Sequence, residues 1–369
     1  MTSLQQVRLK PGDTIGILGG GQLGRMLAMA AARLGLRCHV LSPDPDSAAF
    51  DVVLHATCAE YADVEALELF ASDVDVITYE FENVPSSAAM ILSARRPVLP
   101  DHKILETTQD RLAEKDFVTQ LGIGTADYAD VSSAASLRAA ISRIGLPAVI
   151  KTRRFGYDGK GQAIIRDAAD ADRIWDELGT RSAILEAFVP FEREISVIAA
   201  RSADGRIECY DVTENEHRDH ILKISRAPAA IPEALAVGAR AIAETIASAL
   251  GYVGVLAVEM FVVAEAGGHK VLVNEIAPRV HNSGHWTLDG ASISQFEQHI
   301  RAVAGWPLGK PIRHGEVTMT NLIGEEINSY ERWLSVPGAS VHVYGKGPPR
   351  PGRKMGHVTE LVPPPSKLR

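Results

Sequence analysis

Two glutamates interrupt apolar runs late in the chain, Glu259 in "LAVEMFV" and Glu275 in "LVNEIAP". A carboxylate inside an apolar strand is costly unless it is paired or holds a cation. The short "AEAGGH" between the runs predicts an antiparallel strand pair that turns both acids towards one site. Hard oxygen ligands of this kind suit Mg²⁺ shared with substrate phosphates, and the plainer alternative is a solvated sheet face. Directly after Glu275, the stretch "APRVHNSGHWTLDGAS" crowds Arg279, His281, Asn282, Ser283 and His285 together. Arg, His and Asn on one loop favour an anion pocket. Ser283 and Gly284 between the two histidines predict a loop, not the helix face that would present a zinc pair.

Two glycine-rich stretches add phosphate chemistry. In "PAVIKTRRFGYDGKGQ" (147–162) a strand ending in Lys151 enters a loop with Gly156, Gly159 and Gly161, and a second strand follows. Such a hairpin offers backbone N–H groups to phosphates while Lys151 supplies a point charge. It lacks the G-x-x-x-x-G-K-[ST] order of a Walker loop. The other stretch, "TIGILGGGQLGRM" (14–26), has Gly19, Gly21 and Gly24 spaced G-x-G-x-x-G between a strand and a helix, with Asp44 some way beyond. That context suits a dinucleotide pyrophosphate, although any tight strand-to-helix turn also selects glycine.

These groups need a scaffold, and the patterning supplies one. Up to residue 100, the runs "TIGIL", "RCHVL", "VDVITYE" and "RPVLP" alternate with helical periods at 22–34 and 63–71, which predicts a parallel sheet covered on both faces. Residues 103–121 read as one amphipathic connecting helix anchored by Leu112, Phe117 and Leu121. A second unit to about residue 190 has strands at "PAVIKTR", "GQAIIR" and "SAILEAFV". Beyond it the chain is strand-rich, with "REISVIAARS", "RIECYDVTEN", "HILKISRAP", the two acid-bearing runs, "EVTMTNLIG" and "SVHVYG" around a helix at 232–249. A Pro/Gly/basic stretch, "GKGPPRPGRKMGH", follows.

Composition narrows the function classes. The chain has 369 residues and a net charge of -8, which disfavours nucleic-acid and membrane-surface partners. Cys38, Cys58 and Cys209 form no C-x-x-C pair, and no 18 apolar residues run together. With no apolar leader in "MTSLQQVRLKPGD", the sequence predicts a cytoplasmic protein.

Taken in order, "GGGQLGRM", "YEFENVP", "FGYDGKGQ", "FEREISVI", "GYVGVLAVEMF", "NEIAPRVHNSGHWT" and "RPGRKMGH" resemble the N5-carboxyaminoimidazole ribonucleotide synthase family of the ATP-grasp superfamily, over about Gly16 to His357. The resemblance implies an α/β and α+β chain with an ATP-grasp fold: a Rossmann-like pre-ATP-grasp domain (1–106), a linker helix with a small lid subdomain (107–189), and a catalytic domain with a C-terminal β-rich segment (190–369). It implies carboxylation of 5-aminoimidazole ribonucleotide with ATP and bicarbonate, through carboxyphosphate, in purine biosynthesis. The cofactor set would be ATP with Mg²⁺, as two ions, or Mn²⁺. The nearest alternative is a formate-dependent glycinamide ribonucleotide transformylase, and a nicotinamide oxidoreductase or a non-catalytic nucleotide-binding module lies further off.

Carried over onto this sequence, Arg111 and Lys151 match cations that contact the nucleotide, and Gly156, Tyr157, Asp158, Gly159, Lys160, Gly161 and Gln162 match the lid. Glu186, Ala187, Phe188 and Val189 resemble the strand that meets adenine, Glu194 the ribose acceptor, and His217 a further nucleotide contact. Glu259 and Glu275 match metal ligands, with Asn274 beside them. Gln22, Leu23, Glu80, Tyr157 and Asp158 resemble the acceptor side, while Arg279, His281 and Asn282 resemble the bicarbonate pocket and join Asp158 in catalysis. Lys346, Arg353 and Lys354 resemble the grip on the ribonucleotide phosphate. On this reading "GGGQLG" lines the acceptor site and not a dinucleotide. The resemblance further implies a homodimer that hands its product to the following mutase, and a closing helix where this sequence has "PPPSKLR".

Overall fold

Short apolar runs followed by helical periods bury both faces of a strand, and the N-terminal third builds such strands. The computed structural model describes residues 7–156 and 159–363. In its first sheet β1 (Thr14–Leu18), β2 (Arg37–Ser42), β3 (His55–Cys58) and β4 (Val76–Tyr79) run parallel in the order β3-β2-β1-β4. Ile15, Ile17 and Leu18 are fully buried, with the helices Gln22–Arg33, Val64–Ser72 and Ser86–Ser93 supplying apolar partners. The run "RPVLP" forms no strand: only Val98 bridges to Ile77. Pro97 and Pro100 lack the N–H groups a longer ladder would use.

The connector of 103–121 is two helices, His102–Thr108 and Arg111–Gln120. The break falls at Asp110, whose Oδ1 accepts from the amides of Leu112 (3.0 Å) and Ala113 (3.4 Å) and starts a new helix. Arg153 closes on the same carboxylate with bonds of 2.9 and 2.7 Å, so the break is also tied to the lid hairpin.

The second sheet contains β5 (Tyr128–Val131), β6 (Ala148–Thr152), β7 (Gln162–Ile165) and β8 (Ala183–Ala187), antiparallel in the order β5-β8-β6-β7. The helices Ala134–Ile144 and Ala171–Leu178 pack on it through Leu137, Ile141 and Ile174. The glycine-rich stretch is the β6–β7 hairpin, as its composition predicts.

The rest of the described residues is built on a nine-stranded sheet, with helices that include Glu233–Ala249 and Gln295–Val303. Its strands are β9 (Arg193–Arg201), β10 (Ile207–Cys209), β11 (Thr213–Arg218), β12 (Ile221–Ala227), β13 (Gly254–Glu265), β14 (Gly268–Ala277), β15 (Glu316–Ile323), β16 (Ala339–Val343) and β17 (Lys354–Val362). The order is β14-β13-β9-β11-β12-β15-β17-β16, with β10 on the edge of β9. The run "RIECYDVTEN" is therefore two strands, and the basic stretch leads into β17, which inserts between β15 and β16. The closing helix would fall within 364–369, outside the described residues.

Candidate functional site

A cleft of about 680 Å³ is lined from all three sheets. At its base the two acids meet: Glu259 of β13 lies directly opposite Glu275 of β14 in the antiparallel register. Residues so paired hold their side chains on one face, about 5 Å apart at Cβ. The register slips just beyond this pair, because Met260 pairs with Val273 and Asn274 is the extra residue of a β-bulge. Alternation alone would send Asn274 to the opposite face from Glu275; with the bulge, both line the cleft. The buried Asn274 Oδ1 has no hydrogen-bond partner. Two opposed carboxylates and one orphaned amide oxygen are a donor set that fits a hard cation.

Cations surround these acids. Arg111 donates to Glu275 Oε2 at 3.0 Å, and His281 Nε2 lies 2.9 Å from Glu259 Oε1. Burial opposes ionisation of Glu259, but the hydrogen bond from His281 and the positive groups around the cleft floor outweigh it and hold its carboxyl well below the usual range. Lys151 reaches Glu186 Oε2 at 3.0 Å, with Lys115 at 3.7 Å from the same oxygen. His217 pairs with Glu194 across β11 and β9. Arg279 forks onto Glu82, with Nη2 donating to Oε1 at 3.0 Å, and its Nη1 donates to the Val280 carbonyl at 3.1 Å. Three of five guanidinium N–H groups are thus used, which leaves two for an anion in the cleft. Asn282 and Asn321 exchange amide bonds of 3.0 and 2.6 Å, which locks Asn282 in the loop.

The first glycine motif serves a different anion from the one its spacing suggests. The amides of Gly21 and Gly24 donate to the Glu80 carboxylate, at 2.5 Å for Gly24. A Cβ on Gly19 would stand 2.4 Å from Glu80 Cγ, so the cradle admits only glycine there. Burial raises the Glu80 carboxyl, with the two amides, Lys346 and Arg279 acting against it. The N-terminus of helix Gln22–Arg33 therefore holds an internal carboxylate where a dinucleotide would place pyrophosphate. Gln22 and Leu23 pass the motif on to the cleft wall.

Most of the residues singled out from sequence converge here. Lys151, Gly156, Gly159, Lys160, Gln162 and Glu186 to Val189 line one side of the cleft. Glu194, His217, Glu259, Asn274 and Glu275 line the floor, with Arg279, His281 and Asn282 beside them. Arg111, Glu80, Gln22, Leu23 and Lys354 complete the rim. Gly161 faces away: its φ is +71° and a Cβ would meet Thr152 Oγ1 at 2.6 Å. Lys346 and Arg353 do not line the cleft. Arg353 Nη1 donates to the Lys346 carbonyl at 3.0 Å, and Lys346 Nζ to the Lys354 carbonyl at 3.1 Å, so both brace the turn that presents Lys354. Tyr157 and Asp158 lie outside the described residues.

Several groups were not foreseen. Lys115 is 2% exposed and donates to Thr125 Oγ1 (2.7 Å) and to the carbonyls of Val273 (3.3 Å) and Asn274 (2.9 Å). Glu114 accepts from the Ile276 amide at 3.0 Å. Arg111, Glu114 and Lys115, at i, i+3 and i+4, thus grip β14 on both sides of Glu275. The spacing in "RLAEK" is visible in the sequence, but charged helix faces are usually solvated. Phe191 and Phe261 stack 4.5 Å apart along the cleft wall. Away from the cleft, Asp289, His342 and His357 gather their ligand atoms within 4.8 Å. The two rings stack at 4.4 Å with planes only 10° apart, so one ion cannot lie in both ring planes.

The lid approaches the β11–β12 turn closely. A Cβ on Gly159 would lie 2.6 Å from His220 Cβ, and φ there is +78°. Gly159→Val therefore cuts turnover more than stability, and cleavage between 153 and 162 slows when ATP and Mg²⁺ saturate the wild-type chain. Limited proteolysis with and without nucleotide checks this; an unchanged cleavage rate rules out a closing lid.

Family models match the chain in three blocks: the ribonucleotide synthetase preATP-grasp domain at residues 13–109, the ATP-grasp domain at 116–296, and the phosphoribosylaminoimidazole carboxylase C-terminal domain at 317–367. The chain is 49% identical to the N5-carboxyaminoimidazole ribonucleotide synthase of Brucella melitensis, covering 98% of this chain and 99% of that protein. It is also 46% identical over 95% of its length to the bifunctional purine synthesis protein purC/E of Dictyostelium discoideum, of which it spans 37%. Among solved structures, an ADP complex of an N5-carboxyaminoimidazole ribonucleotide synthetase superposes with a TM-score of 0.93 at 41% identity, covering 97% of this chain and 94% of that one. The enzyme of Aspergillus clavatus in complex with ADP and 5-aminoimidazole ribonucleotide superposes with a TM-score of 0.89 at 30% identity, covering 96% and 94%.

Proposed function

The chain belongs to the N5-carboxyaminoimidazole ribonucleotide synthase family and catalyses the ATP-dependent carboxylation of 5-aminoimidazole ribonucleotide, and from that premise we propose how its cleft divides the work. The observation that carries the assignment is the opposition of Glu259 and Glu275 beside the bulged Asn274, in one cleft with Lys151, Arg111, Arg279 and His281. Glu259 and Glu275 would hold Mg²⁺, which when bound neutralises the transferring phosphoryl group.

The adenine lies against Phe188, Phe191 and Phe261, with Glu194 and His217 towards the ribose. The strand expected over Glu186 to Val189 ends at Ala187; the amides of Ala187 and Phe188 already donate to the carbonyls of Asp127 and Pro147, and Val189, beyond the strand, offers the next amide to the base. Lys151, Arg111 and the lid residues Gly156, Gly159, Lys160 and Gln162 gather the phosphates. Arg279, with its two remaining N–H groups, His281 and Asn282 hold bicarbonate so that its oxygen attacks the γ-phosphorus. That step makes carboxyphosphate and releases ADP. The exocyclic amine of the ribonucleotide, held between Gln22, Leu23 and Glu80, then attacks the carboxyl carbon, or the CO₂ released from it, and phosphate leaves with the amine proton. A closed lid keeps water from the labile intermediate. The domain limits follow the same division: 1–106 for the acceptor, 107–189 for linker and lid, and 190–369 for the catalytic floor.

An ADP-release assay tests the reading. ADP should form with bicarbonate and aminoimidazole ribonucleotide together, and not with glycinamide ribonucleotide and formate. The reverse pattern would assign the chain to the sister transformylase. For the acceptor phosphate, Lys354→Ala raises the KM for aminoimidazole ribonucleotide by roughly 10- to 150-fold, as expected for one lost charge-assisted bond of about 1.5–3 kcal/mol. Arg353→Ala acts in the same direction but less, since Arg353 braces the turn, and neither changes the KM for ATP. A rise in the ATP constant instead would move the phosphate grip elsewhere.

No helix among the described residues is long and apolar enough to cross a membrane. The acidic balance and unpaired cysteines support a cytoplasmic enzyme. Sedimentation of the apoprotein tests the homodimer that family membership suggests, and co-sedimentation with the following mutase tests a hand-off.

A further inference from the structure

Behind His281 runs a buried chain of hydroxyl and amide groups. Ser225 of β12 stands directly opposite Asn215 of β11, and its Oγ donates to Asn215 Oδ1 at 2.8 Å. Asn215 Nδ2 donates to Ser196 Oγ of β9 at 3.0 Å. Ser196 Oγ lies 2.7 Å from Ser283 Oγ, which in turn lies 2.9 Å from His281 Nδ1. The three serines are fully buried and Asn215 is 8% exposed, so water does not compete along this path.

The chain has a direction. An amide oxygen only accepts and an amide nitrogen only donates. Ser196 Oγ accepts from Asn215, and among the described residues the one acceptor within reach of its own O–H is Ser283 Oγ, so Ser196 donates to Ser283 and Ser283 donates to His281 Nδ1. A second donor agrees: the backbone N–H of Ser283 points at the same ring nitrogen from 3.3 Å. Nδ1 therefore carries a lone pair and no proton. The ring proton sits on Nε2, 2.9 Å from Glu259 Oε1 at the cleft floor.

We propose that Ser225, Asn215, Ser196 and Ser283 form a one-directional hydrogen-bond chain that fixes His281 as its Nε2–H tautomer, so that His281 serves the cleft as a hydrogen-bond donor and not as a general base. This rests on the assignment of His281 to the bicarbonate pocket. A base needs its lone pair facing the reacting group, and here the lone pair faces Ser283. In this structure the Nε2–H faces Glu259 Oε1 at 2.9 Å; the same N–H is what His281 would offer the oxygens of bicarbonate, stabilising the charge that stays on the carboxyl group through carboxyphosphate. The three serines and Asn215 are positioning residues: they touch no substrate, and they act by setting which ring nitrogen meets it.

The tautomer is read directly by nitrogen NMR on the full chain labelled at histidine, with the His281 signals assigned by their loss in His281→Gln. An unprotonated Nδ1 and a protonated Nε2 are expected, with no substrate present. Asn215→Asp offers acceptors only, so Ser196 and Ser283 turn to donate towards position 215, and Ser283 Oγ becomes an acceptor for the ring. The His281 signals should then move towards an Nδ1–H form, and kcat should fall about 10- to 100-fold with the KM for ATP unchanged. Ser283→Ala, which removes a single hydroxyl, should lower kcat in the same manner. A protonated Nδ1 in the wild-type chain overturns the proposal without reliance on any variant. So does a folded Asn215→Asp protein with wild-type nitrogen signals. If the tautomer is as stated but His281→Gln keeps full bicarbonate-dependent turnover, the bicarbonate pocket is wrong, and the donor role falls with it.

Discussion

Glu275→Gln lowers ATP turnover about 10³-fold while the protein stays folded. The substitution keeps the shape of the side chain and an oxygen for the 3.0 Å bond from Arg111. It removes the charge that, opposed to Glu259 across the strand pair, would hold a cation against the transferring phosphoryl group. That contribution is several kcal/mol, and about 4 kcal/mol corresponds to roughly three powers of ten in rate. Glu259→Gln has a comparable effect, and it additionally loosens His281, its partner at 2.9 Å. Steady-state ADP release across a Mg²⁺ titration, with circular dichroism as the check on folding, measures both. A folded Glu275→Gln protein with near-normal turnover would mean that these two acids form no metal site.

The second large effect is on stability. Lys115→Met costs about 3–5 kcal/mol in denaturant unfolding, the range expected when one member of a buried ionic cluster is removed. The methionine fills the volume of the lysine stem but takes the Lys115 donor from the Asn274 carbonyl, Thr125 Oγ1 and one side of Glu186, and leaves the Val273 carbonyl with Thr125 Oγ1 alone of its two side-chain donors. Burial pushes the Lys115 ammonium below its usual range, with Glu186 acting against that push. Because those carbonyls flank the bulge, the KM for ATP rises as well. The exposed pair Arg173–Glu177 is the control, and Arg173→Ala leaves the unfolding midpoint unchanged. A Lys115→Met protein as stable as the parent would show that the grip on β14 is incidental.

The sequence by itself determined the three units, the glycine-rich hairpin, and the convergence of both acids. Each depends on local pattern: alternation, helical period, glycine at tight turns, and short connections. It also determined the loop from Arg279 to His285, since a dense run of polar residues after a buried strand has nowhere to go but a site. Tertiary structure decided the rest. Asp110 ends a helix that the periodicity of 103–121 would continue, because Arg153 from the lid hairpin fixes its carboxylate. The first glycine motif could serve a dinucleotide until the fold places Glu80, 56 residues from Gly24, on its amides. Arg353 and Lys346 share the charge of Lys354, but their bonds to neighbouring carbonyls hold them out of the cleft. Lys115 and Glu114 look like an ordinary solvated helix face until β14 covers them. Asn274 reaches the cleft only because one extra residue enters the β14 ladder, and a bulge of one residue leaves no mark on the pattern of apolar and polar positions. Except at Lys346 and Arg353, the deciding partner is distant in sequence, and the free energy of burying a polar group depends on whether that partner arrives.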